Sequence, residues 1–144
     1  MIRSALILIV GIAIGSGGLA LAQPDTHPKE NGEQVKAIAT YDLEEKRDGK
    51  DAAVTIVEVT FGPGQAGASH RHPGPAFVYV VEGTYELGID DQPTKTYKAG
   101  ETFQEPSGAL HRVSRNPAAS GKTRLVAFLV HPRGVKDLVI PAGH

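Results

Sequence analysis

The stretch SHRHPGPAFVYVVEG, residues 69–83, decides the fold of this chain. Its second half is rich in β-branched and aromatic residues, a composition typical of a β-strand. Its first half places His70 and His72 two positions apart. Side chains at positions i and i+2 project from the same face of a strand. The two imidazoles are therefore predicted to point in one direction, where both can bind a single metal ion.

Strand-like segments continue on both sides of this stretch. They are separated by turn sequences such as DGKD, GPGQAG, DDQP, EPSG and NPAASG, and no segment has a helical apolar period over three turns. The segments are VKAIATYDL, AAVTIVEVTF, FVYVVEG, TYELGI, KTYKAG, LHRVSRN, RLVAFLV and DLVI. Short strands joined by turns predict an all-β sandwich or barrel. Alternation predicts that Val78 and Val80 face its interior, while Phe77 and Tyr79 pack against the second sheet or a partner subunit.

Composition limits the choice of partner. The chain has 144 residues, 40% of them apolar and 22% charged, which is typical of one compact domain. Its 15 basic and 16 acidic side chains form no run of like charge, which argues against nucleic acid or anionic lipid and favours a small-molecule partner. It has no cysteine, so packing alone, without disulfides, must hold the domain together.

The N-terminus has the pattern of a secretory signal peptide. Arg3 precedes an apolar run, and small residues stand at Ala20 and Ala22. We predict cleavage after Ala22, a flexible polar leader over residues 23–34 and a folded domain over residues 35–144. The mature protein is then periplasmic or secreted, with no membrane attachment after cleavage. The alternative is an uncleaved membrane anchor, for which the uncharged segment is barely long enough.

A third histidine, His111, follows the turn PSGAL and begins the run HRVSR. It meets the first pair only if the strands close into a barrel. Three imidazoles suit a divalent transition metal and leave a coordination position open for water or substrate. The alternative is that the pair on the strand is exposed or hydrogen-bonded polar structure with no metal. The remaining histidines, His27, His131 and His144, are interpreted as structural or exposed.

The spacing around these histidines resembles the two sequence motifs of the cupin superfamily. The first is a glycine, five residues, His-x-His, three or four residues, glutamate, six residues and glycine; the second is a glycine, five residues, Pro-x-Gly, two residues, histidine, three residues and asparagine. The matching positions are Gly64, His70, His72 and Gly83, then Gly100, Pro106, Gly108, His111 and, one position late, Asn116.

The resemblance is to small single-domain cupins of the cupin 2, or RmlC-like, type. It implies a jelly-roll-like double-stranded β-helix barrel and a homodimer. It also implies that His70, His72 and His111 bind one divalent transition metal per chain, with zinc, manganese, iron, copper and nickel all open.

One departure from the family pattern concerns the fourth ligand. The family's glutamate falls at Ala76, so the usual carboxylate is absent. Glu105, in the turn before Pro106, is the candidate catalytic residue: a fourth ligand, an acceptor that fixes a histidine tautomer, or a general base. The alternative is an exposed loop carboxylate. Arg115 is predicted to share the face of His111 and to bind an anionic substrate, or else to be exposed at the strand end.

Cupins include both enzymes and binding proteins, so the fold leaves two functional hypotheses. The first is a metal-dependent enzyme, dioxygenase-like or a Lewis-acid lyase or isomerase, that acts on a small oxygenated organic molecule. The second is an exported module that binds a metal or small ligand without turnover.

Overall fold

The structure is a computed structural model that describes residues 32–143. The predicted signal peptide and residues 23–31 of the predicted leader lie outside the described residues. Between residues 32 and 143 the chain forms strands and no helix, as predicted. No described segment is a helix long and apolar enough to cross a membrane. The strands are β1 (Gln34–Asp42), β2 (Ala52–Phe61), β3 (His70–Arg71), β4 (Ala76–Glu82), β5 (Thr84–Ile89), β6 (Lys95–Lys98), β7 (Thr102–Glu105), β8 (His111–Arg115), β9 (Thr123–Pro132) and β10 (Ile140–Pro141).

The strands form two antiparallel five-stranded sheets. The first has the order β1-β2-β9-β4-β7 and the second the order β10-β3-β8-β5-β6. Their inner faces share one apolar core, in which Phe61 of the first sheet contacts Tyr85 of the second at a ring-centroid distance of 5.6 Å. Tyr85 also stacks on Phe103 of the first sheet at 5.5 Å. Chain crossings between facing sheets produce the double-stranded β-helix, and the predicted all-β jelly roll is confirmed.

Strand β4 shows the predicted alternation. Ala76, Val78 and Val80 are buried, whereas Phe77 and Tyr79 are 47% and 45% exposed. The aromatic pair lies on the outer face of the first sheet, not between the sheets. Period-two burial of this kind fixes the register of a strand, because a slip by one residue would exchange the two faces.

Strand β8 departs from simple alternation. Gly88 pairs with Val113 and Ile89 pairs with His111, which leaves Arg112 as an extra residue in a β-bulge. The bulge buries both His111 and Ser114 and turns Arg115 outward. The prediction that Arg115 shares the face of His111 is therefore wrong. Its guanidinium instead binds the Glu86 carboxylate on the surface, with an Nη2 to Oε2 distance of 2.6 Å.

Candidate metal centre

Strands β3 and β8 bring the three histidines together. The two strands are neighbours, and His70 and His111 are direct partners in their ladder. His72 follows β3 by one residue, and every pair of the three rings has a centroid distance between 4.7 and 4.8 Å. Their ligand nitrogens lie within 4.8 Å of one another. The barrel thus closes as the motif spacing requires, with His70 half-buried and the other two imidazoles buried.

Backbone carbonyls orient two of the imidazoles. His70 Nδ1 donates to the Ala68 carbonyl at 2.8 Å, and His72 Nδ1 donates to the Leu138 carbonyl at 2.5 Å. A carbonyl only accepts, so the proton must lie on Nδ1 and the lone pair on Nε2 remains free. The third ring, His111, is 2% exposed, and its buried Nε2 has no hydrogen-bond partner among the described residues. Convergent nitrogens with free lone pairs fit a transition metal.

A carboxyl group stands beside the cluster, contributed by a different strand from the one the family pattern uses. Glu105 is the last residue of β7 and the direct partner of Ala76 on β4. It is 6% exposed, with Oε2 3.7 Å from His72 Nε2 and Oε1 3.6 Å from His111 Nδ1. The interpretation of Glu105 as an exposed loop carboxylate is therefore wrong. Glu105 thus lies directly across the ladder from position 76, where the family pattern has its glutamate.

Burial sets the protonation of these groups. It raises the pKa of Glu105 to about 8. Burial, assisted by the charges of His70 and His72, lowers the pKa of His111 to about 3. Burial also lowers the pKa of His72, against the opposing effect of its hydrogen bond to Leu138.

These protonation states determine whether the contacts of Glu105 with the histidines are ion pairs. In the metal-free protein at neutral pH, Glu105 and His111 are both neutral. The separations of 3.6 and 3.7 Å are too long for hydrogen bonds. The contacts are therefore not ion pairs despite the short charge-to-charge distances. A bound dication would reverse the preference of Glu105 and favour its carboxylate form.

The histidines face a cavity of about 720 Å³ between the two sheets. Most of its wall is apolar, and side chains of the C-terminal residues 136–139 complete it. The cavity lies in the size range of about 300–1,000 Å³ that is typical of sites for drug-sized molecules. The cluster is thus accessible to an organic ligand.

The C-terminal segment is the functional element that the sequence analysis missed. Leu138 supplies the carbonyl that holds His72, and β10 pairs with β3. The Ala142 amide donates to the Ser69 carbonyl at 3.1 Å. A backbone acceptor has no side-chain signature, and the only signal was the apolar run DLVI, of which just the last residue, Ile140, lies in a strand.

The remaining candidate residues lie apart from the cluster. His131 is buried and structural, as interpreted, and its Nε2 accepts a hydrogen bond from Thr55 Oγ1 at 2.8 Å. His27 and His144 lie outside the described residues. Asn116, which ends the second motif, is 1% exposed and its amide bonds the Gly62 and Gly121 carbonyls, so it shapes a turn.

Comparisons with known proteins agree with this architecture. The family model described as "Cupin domain" matches residues 57–129, about half of the chain and the part that contains the cluster. Germin-like protein subfamily 2 member 2 of Arabidopsis thaliana is 35% identical over 81 residues, 53% of this chain and 36% of that protein. Germin-like protein 5-1 of Oryza sativa subsp. japonica is 34% identical over 74 residues, 46% of this chain and 34% of that protein. The chain spans about a third of the length of these curated relatives.

Solved structures share the fold at low sequence identity. An RmlC-like cupin family protein with a double-stranded β-helix fold, from Methanocaldococcus jannaschii, has a TM-score of 0.56 and 14% identity over 80% of this chain and 94% of its own. Recombinant oxalate oxidase in complex with glycolate has a TM-score of 0.53 and 25% identity over 74% of this chain and 54% of its own. With the motif spacing, the two-sheet barrel and the family match in agreement, this chain belongs to the cupin family.

Proposed function

We propose that this protein is a metal-dependent enzyme acting on a small oxygenated organic molecule. The observation that carries the proposal is the convergence of His70, His72 and His111, with the carboxyl group of Glu105 beside them, on an open cavity. One divalent transition metal would supply Lewis acidity or oxygen activation there, and the donor set suits Zn, Mn, Fe, Cu and Ni. Dioxygenase-like and lyase or isomerase chemistry both fit.

Within this proposal the chain's own residues have defined tasks. The Ala68 and Leu138 carbonyls orient the rings of His70 and His72. Glu105 would be the fourth ligand and would offset one positive charge of the ion, in place of the glutamate that the family pattern has at position 76. The solved oxalate oxidase that binds glycolate supports a small oxygenated molecule as the kind of substrate.

A non-catalytic module that binds a metal or small ligand is the alternative. It is favoured by one observation: the only buried acidic residue in the described cavity wall is Glu105. Few groups are then available to move protons. Metal-loaded protein that binds ligands and never converts them would support this alternative. Loss of turnover in Glu105→Gln at saturating metal would support the enzyme.

The first test is elemental analysis of the mature protein from Gln23, purified without added metal and without a polyhistidine tag. We expect about one equivalent of a transition metal in the wild type and none in a His70→Ala/His111→Ala variant. His131→Gln is the matched control, because it changes a buried histidine outside the cluster. A wild type that takes up none of the five candidate ions when they are added would refute the metal site.

We further propose that two copies of the chain associate through the outer face of the first sheet. Phe77 and Phe128 are direct cross-strand partners there, and together with Tyr79 they are 40–47% exposed. Clustered exposed aromatic side chains are typical of interfaces. Sedimentation should show a dimer for the wild type and for the control Thr96→Glu on the other sheet, and a monomer for Phe128→Glu. A monomeric wild type at about 100 µM, far above the Kd of a stable dimer, would contradict the proposal.

Export remains a separate proposal that rests on the sequence of residues 1–22. Expression of the full chain in a bacterium should yield periplasmic or secreted protein whose intact mass begins at Gln23. Full-length protein in the membrane fraction would instead support the uncleaved anchor.

A further inference from the structure

We propose that the cavity selects a molecule with a large apolar body and a single oxygen-bearing head that reaches the histidines. The inference rests on the proposed function, because the head is held by the metal. It narrows the substrate class from small oxygenated molecules in general to singly headed, largely hydrocarbon or aromatic ones.

The apolar wall is contributed by both sheets and by the C-terminal segment. The side chains that form it include Val57, Phe61, Val78, Leu125, Leu129 and Leu138. A cavity of about 720 Å³ is far larger than a two-carbon acid needs. Burial of apolar ligand surface against such a wall is favourable roughly in proportion to the area removed from water.

The hydroxyl groups in the wall already have hydrogen-bond partners within the chain. Tyr85 Oη and Ser114 Oγ are 2.6 Å apart and form a buried hydrogen bond. Thr55 Oγ1 bonds His131 Nε2 at 2.8 Å and Thr40 Oγ1 at 2.9 Å. A ligand with several hydroxyl groups would therefore lose its bonds to water with little in return, which costs binding energy. Polyhydroxylated molecules are poor candidates for this cavity.

Apart from Glu105, the charged side chains known to line the cavity are two acidic and two basic residues, whose charges cancel. They are Glu33, Lys36, Lys136 and Asp137, on β1, just before it, and on the C-terminal segment. No arginine is among the described lining residues. Lys36 and Lys136 offset Glu33 and Asp137, so the described lining outside the cluster has no net positive charge to attract a second carboxylate. The head is thus the one polar group that the site accommodates well, and a ligand with a second charged group at its far end is disfavoured.

Alkyl hydroxamates test this selection, because their bidentate oxygen head stays constant while the chain grows. Metal-loaded protein is titrated by calorimetry with acetohydroxamate, butanohydroxamate, hexanohydroxamate and octanohydroxamate. Each methylene buried in the cavity should tighten binding about fourfold, so octanohydroxamate should bind at least about a hundredfold more tightly than acetohydroxamate.

A matched pair of variants separates the cavity from the outer surface. Ala127 lines the cavity, whereas its neighbour Val126 faces the outside of the same strand. Ala127→Leu should weaken octanohydroxamate about tenfold or more and leave acetohydroxamate unchanged, while Val126→Leu should alter neither. If Ala127→Leu does not fold, the chain-length series on the wild type decides alone.

The outcomes separate this inference from the proposed function. Equal affinity for all chain lengths would overturn the inference while a loaded metal site still stands. A protein that takes up no metal would refute both. A rising affinity along the series that Ala127→Leu removes would support the inference.

Discussion

Replacement of Glu105 by glutamine is expected to remove a pH-dependent loss of stability from the metal-free protein. Burial raises the pKa of this carboxyl group to about 8, from an ordinary value of 4.5. Between these two values the unfolded chain is ionised at Glu105 and the folded chain is not. Each pH unit in that window lowers the free energy of unfolding by about 1.4 kcal/mol, which gives a deficit of roughly 3 kcal/mol at pH 7.

The sign of the effect follows from the raised pKa. The stability contributed by neutral Glu105 is fully present below about pH 4.5 and is lost as the pH rises through about 8. Glutamine cannot ionise, so the variant keeps this contribution to stability at every pH in this range. His111 acts in the opposite direction: its lowered pKa gives stability above pH 6.5 that is lost as the pH falls toward about 3. His111 is present in both proteins, so its contribution cancels in the difference.

The assay is urea unfolding of chelator-treated wild type and Glu105→Gln between pH 4.5 and 8. The difference in unfolding free energy between the two should grow by roughly 3 kcal/mol from pH 4.5 to pH 7, whatever its offset at pH 4.5. Glu45→Gln, which changes an exposed carboxylate, controls for the lost charge. A difference that stays constant over this range would refute the reasoning, since Glu105 would then titrate alike in both states.

Three further predictions concern metal affinity and backbone geometry. Glu105→Ala should lower metal affinity at least about tenfold. Adding Ala76→Glu should restore that affinity, because positions 76 and 105 are direct partners in the ladder. If the affinity does not recover, Glu105 does not replace the family's glutamate ligand. Gly83→Ala should lower the free energy of unfolding in urea by more than about 2 kcal/mol, because φ is +80° and the new Cβ would lie 2.3 Å from the Lys122 carbonyl oxygen. Gly100→Ala, where φ is +91° and the surrounding space is open, should lower it by about 1 kcal/mol. Equal costs for the two variants would contradict this reasoning. Deletion of residues 138–144 should weaken metal affinity about tenfold or more through loss of the acceptor for His72, as measured by competition with a chelating dye, and unchanged affinity would show that the acceptor is dispensable.

The fold and the three histidines were predictable because their signals are local in sequence. Alternation along β4 identifies its buried face, and the spacing of glycines, proline and histidines identifies the motifs. The position of Glu105 was harder to predict. It lies next to a turn sequence, and its burial depends on pairing with Ala76, a partner distant in the chain.

The prediction of where Arg115 points was wrong for a different physical reason. Alternation assumes an unbroken ladder, and one extra residue at Arg112 exchanges the faces of everything after it in β8. Short apolar runs carry no clear mark of such a bulge. The hydrogen bond from His72 to Leu138 was equally hidden, because any residue supplies a carbonyl and only the folded chain determines which one is near.

The position of Leu138 couples two binding equilibria, that of a ligand in the cavity and that of the metal ion at the histidines. Its side chain lines the cavity, and its carbonyl holds a ring of the metal cluster. A guest that displaces this residue also removes the acceptor from His72, so occupancy of the cavity and retention of the ion are thermodynamically linked. Reciprocity requires that the factor by which the guest alters affinity for the ion equals the factor by which the ion alters affinity for the guest. Ligands that bind the ion and leave Leu138 in place would strengthen retention of the ion, and ligands that displace Leu138 would promote its release.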